Sequence, residues 1–78
     1  MWEKVVMITI TYFGEEITIP EESVSVATDH SGNIYAYSDV PIVSAAAWYG
    51  RAIYSIGRRF DLCSKWDKTL HIVKKINN

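Results

Sequence analysis

Hydrophobic and polar residues alternate with a period of two on both sides of the sequence Asp29-His30-Ser31-Gly32. Such alternation is typical of β-strands, and an initial Asp with a final Gly favours a type I turn that ends in a left-handed glycine. Pairing of Asp29 with Asn33 would set the register of the hairpin. The predicted cross-strand pairs are Thr28 with Ile34, Ala27 with Tyr35, Val26 with Ala36, and Ser25 with Tyr37.

This register gives the hairpin two different faces. The apolar face predicts part of the core and consists of Val24, Val26, Thr28, Ile34 and Ala36. The other face carries the rings of Tyr35 and Tyr37 above the small residues Ser25 and Ala27. It is either a second packing surface or an aromatic shelf open to a ligand, and the pattern leaves both interpretations open.

An earlier alternating stretch, residues 5–19, predicts another hairpin with Gly14-Glu15 as a two-residue type II′ turn. That turn pairs Phe13 with Glu16, and it ends the second strand at Pro20, which cannot donate to the ladder. The predicted core face consists of Ile8, Ile10, Tyr12, Ile17 and Ile19.

The second half of the chain is less regular. Residues 44–48 could form a helix, but Gly50 and Gly57 interrupt any longer one and residues 52–56 alternate as in a strand. We therefore predict a third strand pair that turns near Tyr49-Gly50-Arg51.

Near the C-terminus, Ser64 and Asp67 have the spacing of a capping box, which predicts one short helix that buries Trp66, Leu70 and Val73. An edge strand over residues 71–73 is the alternative.

The predicted fold is mainly β (α+β): a single domain over residues 1–78, built from a small antiparallel sheet of two or three hairpins and one short C-terminal helix. A hydrophobic content of 49% argues against disorder. Cys63 is the single cysteine, which excludes an internal disulfide and fits a reducing cytoplasm. The sequence shows neither a secretory signal nor an apolar run of the ~20 residues needed to cross a membrane. We therefore expect a cytoplasmic protein with no membrane association.

Charge is unevenly distributed along the chain. Residues 1–39 carry seven acids and one base, whereas residues 40–78 carry seven bases and two acids. The two halves can neutralise each other in the fold, form a basic binding face, or support self-association.

The sequence contains no pattern that indicates catalysis or metal binding. Asp29, Ser31 and Asn33 resemble the opening of a calcium loop, but the twelfth position of that loop would be Val40 instead of Glu. A nucleophilic pair of Cys63 with His71 has no supporting motif. We therefore expect no cofactor, no metal and no enzymatic activity.

Aromatic and arginine residues are the better candidates for function, because such side chains are enriched at interfaces and can also stack on bases and pair with phosphates. The predicted partner-binding residues are Tyr35, Tyr37, Trp48, Arg51, Arg58 and Arg59. An open sheet would also leave an edge strand through which a homodimer could form.

Several short motifs in the last two thirds of the chain resemble small uncharacterised proteins of bacteriophages and prophages. The resemblance is carried by Ala27-Thr28-Asp29 with Gly32 and Ala36, by Trp48, by Ile56-Gly57, and by Trp66-x-x-Thr69-Leu70, where Thr69 replaces the usual Ser. It implies a phage accessory protein and brings no catalytic residues with it.

These observations predict a small non-enzymatic protein of the bacterial host cytoplasm that binds and inhibits a host or anti-phage defence protein. Inhibition would occur by steric occlusion or through an acidic N-terminal half that imitates nucleic acid. The alternative is a nucleotide- or nucleic-acid-binding module that uses the tyrosines and the basic C-terminal half.

Overall fold

Short antiparallel strands dominate the fold in the computed structural model, which describes residues 5–74. The strands and the one 3₁₀ segment are β1 (Met7–Tyr12), β2 (Glu15–Pro20), β3 (Ser25–Thr28), β4 (Asn33–Tyr37), β5 (Ile42–Val43), β6 (Trp48–Tyr49), β7 (Ala52–Arg58), the 3₁₀ segment (Phe60–Lys68) and β8 (His71–Ile72). The predicted class, mainly β with antiparallel hairpins and one short helical segment, is confirmed.

The β3–β4 hairpin has the predicted register at every predicted pair. One carboxylate oxygen of Asp29 accepts the backbone N–H groups of Ser31 and Asn33, both at 2.9 Å. Gly32 has a φ of 89° and donates its N–H to the Asp29 carbonyl. Turn chemistry therefore accounts for the residues that resembled a calcium loop.

The turn between β1 and β2 differs from the prediction. Tyr12 pairs with Glu15, so the turn residues are Phe13 and Gly14, with φ values of 46° and 80°. Two successive positive φ angles define a type I′ turn, whose twist matches that of the flanking strands. The predicted Gly14-Glu15 turn is wrong, but the resulting change of register is two residues. Because side chains alternate with a period of two, the predicted core face survives this change.

The central sheet has the strand order β7-β4-β3-β8. The chain enters the sheet again at β8, where Ser25 pairs with Ile72 and Val26 with His71. The predicted alternative of an edge strand near residues 71–73 is thus confirmed. The helix predicted to start at Ser64 is wrong, because the 3₁₀ segment starts at Phe60 and ends before β8.

Residues 42–49 form a small separate hairpin in which β5 pairs with β6. The hydroxyl of Ser44 accepts the N–H groups of Ala46 and Ala47, and this turn chemistry excludes a helix there. Strand structure was correctly predicted for this region, but the turn near Tyr49-Gly50-Arg51 was not. β6 pairs back to β5, whereas β7 pairs with β4.

The β1–β2 hairpin packs on the apolar face of the central sheet, and the two elements share one hydrophobic core. Its buried members are Tyr12, Ile17, Ile19, Val26, Ile34, Ala36 and Leu62. Ile8 and Ile10 are only partly buried at its margin. No helix within residues 5–74 has the length and apolar composition needed to cross a membrane.

Candidate functional site

The second face of the β3–β4 hairpin is largely a packing surface. Tyr37 is 5% exposed, Ser25 and Ala27 are fully buried, and Tyr35 is partly buried. Burial raises the pKa of the Tyr37 phenol above 10.0, and the nearby negative charge of Asp29 adds to this increase. Tyr37 is therefore buried on the second face of the hairpin and offers no open ring to a partner.

The segment between β4 and β7 doubles back at the end of this hairpin. The hydroxyl of Ser25 donates to the Asp39 carbonyl at 2.6 Å, and the Ser38 N–H donates to the Arg51 carbonyl at 3.0 Å. The Arg51 N–H in turn donates to the Asp39 carboxylate at 3.0 and 3.1 Å. These bonds close the base of the loop that carries the β5–β6 hairpin.

Trp48 ties the β5–β6 hairpin to the rest of the molecule. Its indole N–H donates to the carbonyls of Thr28, at 2.9 Å, and Trp66, at 3.2 Å. The Trp48 and Trp66 rings meet edge to face, with centroids 6.5 Å apart. Trp48 is only partly buried, but its polar group is already used inside the fold.

The three predicted arginines have different roles. Arg59 donates to the carbonyls of Tyr12 and Phe13 and forms ion pairs with Glu15, at 3.4 Å, and Asp61, at 2.6 Å. The hydrogen bond with Asp61 raises the pKa of Arg59 and lowers that of Asp61. Arg59 therefore anchors the tip of the β1–β2 hairpin.

The other two arginines remain at the surface. Arg58 is exposed, donates to the Ser31 carbonyl at 3.0 Å and lies 4.6 Å from the centroid of the Phe60 ring. Arg51 is also exposed, and its backbone N–H is bonded to the Asp39 carboxylate. The six predicted site residues therefore do not form one open shelf. Tyr37 is buried, Tyr35 is partly buried, Trp48 and Arg59 are bonded within the fold, and Arg51 and Arg58 are exposed.

A buried polar cluster explains the Trp66-x-x-Thr69 motif. The Thr28 N–H donates to the Thr69 hydroxyl at 2.9 Å, and that hydroxyl donates to the Trp66 carbonyl at 2.7 Å. The Tyr12 phenol donates to the Thr69 carbonyl at 3.0 Å and lies 2.8 Å from the Thr28 hydroxyl. These bonds hold the chain between the 3₁₀ segment and β8 against the end of β3, so the role of the motif here is structural.

The remaining reactive side chains have no joint arrangement. Cys63 lies beside Gly32, since a Cβ placed on Gly32 would be 3.1 Å from the Cys63 sulfur. The His71 ring packs elsewhere, edge to face with the Tyr12 ring at a centroid distance of 6.0 Å. Residues 5–74 contain no group of three or more His, Cys, Asp or Glu placed to hold a metal ion. The same part of the chain forms no concave pocket.

The longest strand, β7, is largely exposed, and sequence reasoning did not single it out as a site. Within residues 5–74 it is hydrogen-bonded to β4 alone, although part of β2 lies close to it, and six of its seven residues are exposed. Ile53 is 37% and Tyr54 41% exposed. We call Ala52–Arg58, with these outward side chains, the β7 edge. The alternation of residues 52–56 predicted a strand, but carried no sign that the strand would be at the edge.

Two bulges interrupt the pairing of the β7 edge with β4. Ile34 pairs with Gly57 and Tyr35 with Ser55, which leaves Ile56 without a direct partner. Ala36 pairs with Tyr54 and Tyr37 with Ala52, so Ile53 likewise has no direct partner. Bulges of this kind increase the local twist and hinder uncontrolled edge-to-edge aggregation.

Comparison of the chain with protein-family models, with curated proteins and with solved structures found no match. The resemblance to phage proteins therefore stays a prediction.

Proposed function

We propose that this chain is a non-enzymatic binding protein that attaches to a partner protein through the β7 edge. A single observation carries the proposal: a seven-residue strand is paired on only one side and exposes Ile53 and Tyr54. Unpaired backbone groups beside exposed apolar side chains are the features that a partner strand or an apolar protein surface can cover.

The other edge of the central sheet supports this choice by contrast. β8 contains only two residues, and such short edges offer little backbone for pairing. The β7 edge is more than three times as long and carries no charged side chain between Ala52 and Gly57. Binding at β7 would therefore bury apolar groups without desolvating a charge in the middle of the strand.

The proposed partner class follows from the resemblance to phage proteins. We propose a host or anti-phage defence protein as the partner, the bacterial cytoplasm as the place of action, and steric occlusion as the means of inhibition. The nucleic-acid alternative uses Tyr37 and Arg59, but Tyr37 is buried and Arg59 is paired with Asp61 and Glu15.

An affinity capture from bacterial lysate at low and high salt tests this function. The bait proteins are the tagged wild type, Ile53→Lys on the β7 edge, and Ile72→Lys on β8 as a control of similar exposure. We expect a stoichiometric protein that persists at high salt, is retained by Ile72→Lys and is lost by Ile53→Lys. Recovery of nucleic acid that disappears at high salt would instead support the alternative, since phosphate contacts release counterions.

A further inference from the structure

We infer that the β7 edge receives an extended segment of its partner, with apolar side chains at the centre and acidic residues at the flanks. This inference rests on the proposed function and adds the chemistry of the occupant. Strand addition supplies affinity through main-chain hydrogen bonds, while the exposed side chains of the edge strand select the sequence that is bound. On the β7 edge, those selecting side chains are Ile53 and Tyr54.

The charges around β7 indicate acidic flanks. Residues 40–60 contain three arginines and no acidic residue. Arg59 is paired with Asp61 and Glu15, so Arg51 and Arg58 are the exposed cations just before and at the end of β7. Complementary charges on a partner would fix the register of the added strand and speed its association.

The two ends of the β7 edge are not equivalent. The Asp39 carboxylate accepts the backbone N–H of Arg51, so an acidic group already lies close to that end. Arg58 at the other end stacks on the neutral ring of Phe60 and contacts a carbonyl oxygen. The preference for an acidic residue is therefore expected to be stronger beside Arg58.

The same charges disfavour a second copy of this chain as the occupant. Antiparallel pairing of two β7 edges about Ser55 would bring Arg51 of one copy beside Arg58 of the other. This juxtaposition would occur at both ends of the paired strands. Like charges opposite one another destabilise a strand pair, whereas an acidic segment would find favourable partners at the same positions.

The geometry also limits the length and shape of the occupant. Seven residues in a strand span about 23 Å, which accommodates a partner segment of similar length. The bulges at Ile53 and Ile56 twist the edge, so a flat repetitive strand fits it poorly. The occupant is thus a single short twisted strand.

A displayed library of random ten-residue peptides, selected on the intact protein, tests this inference. We expect enriched peptides with alternating apolar centres and acidic flanks, and weaker binding by about tenfold or more to Ile53→Lys. Ile72→Lys should bind them as the wild type does. Arg58→Glu should reverse the preference at one flank, so that basic residues are enriched there. Amide hydrogen exchange should slow in β7 when an enriched peptide is added.

Other outcomes would overturn the inference. These are a failure to enrich any peptide, selection of basic or proline-rich peptides, or binding that is indifferent to Ile53→Lys. A different result would be a wild-type dimer, seen by light scattering, that Ile53→Lys converts to a monomer. The occupant of the β7 edge would then be a second copy of this chain and not a segment of another protein. A lysate partner that Ile53→Lys still captures would preserve a binding function but remove β7 as its site. Peptide binding at β7 with no protein captured from lysate would contradict the proposed partner class.

Discussion

Thr28 and Thr69 are 41 positions apart, and yet the backbone N–H of Thr28 donates to the Thr69 hydroxyl at 2.9 Å in the interior. The bond joins the end of β3 to the residue that follows the 3₁₀ segment. The carbonyl of Thr28 also accepts the Trp48 indole N–H. One residue of the central sheet therefore holds both the C-terminal segment and the β5–β6 hairpin.

The first prediction concerns the hydroxyl of Thr69. Thr69→Val keeps the shape of the side chain but leaves the buried Thr28 N–H without its acceptor, which should cost about 1–3 kcal/mol in the free energy of unfolding. Thr69→Ser retains the hydroxyl and loses one methyl group, at about 0.8 kcal/mol. Urea denaturation followed by circular dichroism would measure both. A larger loss for Ser than for Val would contradict the assigned role.

The second prediction distinguishes the two tyrosines of β4. Tyr37→Ser removes a buried ring and should cost about 3–5 kcal/mol, as large-to-small core substitutions do. Tyr35→Ser, at a partly buried position, should cost clearly less. Thermal unfolding of the two single variants tests this order. Equal losses would mean that the two rings are equivalent members of the second face.

The third prediction is a loss of stability in alkaline solution. Burial raises the pKa of Tyr12 above 10.0, although hydrogen bonds with Thr28 and Thr69 oppose the shift. The unfolded chain therefore loses this proton first. Stability is complete below pH 10 and falls as the pH rises above 10. Melting temperatures between pH 8 and 11 should show this fall, and Tyr12→Phe should make it shallower. An unchanged slope in Tyr12→Phe would assign the effect to other groups.

The fourth prediction concerns the ion pair between Arg59 and Asp61. The hydrogen bond from Arg59 lowers the pKa of Asp61 below 3.8, so its stabilising contribution is present above pH 3.8 and disappears as the pH falls through the folded-state value. Asp61→Asn should lower the melting temperature at pH 7, by an amount that shrinks towards pH 2. The control is Asp67→Asn, which disrupts only a 3.9 Å surface contact with Lys68. An equal effect of the two variants at pH 7 would argue against a special role for Asp61.

Local turn chemistry made the β3–β4 register predictable. Asp29 and Gly32 lie within four residues of each other, and the hydrogen bonds of the Asp29 carboxylate and of the Gly32 N–H stay within the turn. The β1–β2 turn was harder, because it places a positive φ on Phe13, a residue type that seldom adopts one. The faces were still predicted correctly, since a two-residue error in register preserves the alternation.

The candidate site was less predictable than the hairpins. Tyr35 and Tyr37 share a face by alternation, but burial of Tyr37 also depends on the rest of the chain that packs around β4. Arg58 and Arg59 are neighbours in sequence, yet the first lies at the surface and the second contacts the β1–β2 tip. Nothing in their identity distinguishes these two roles.

Two properties of this protein follow from sequence alone: the β-rich class and the division of each early hairpin into two faces, one of which joins the core. Both depend on interactions between near neighbours and on the period of the strand. The tertiary structure alone decided that β7 lies at an edge, that Thr69 reaches Thr28, and that the 3₁₀ segment begins at Phe60. Those features depend on contacts between residues far apart in the chain. The free energy of such a contact depends on which surfaces meet in the fold, and local sequence patterns do not specify that.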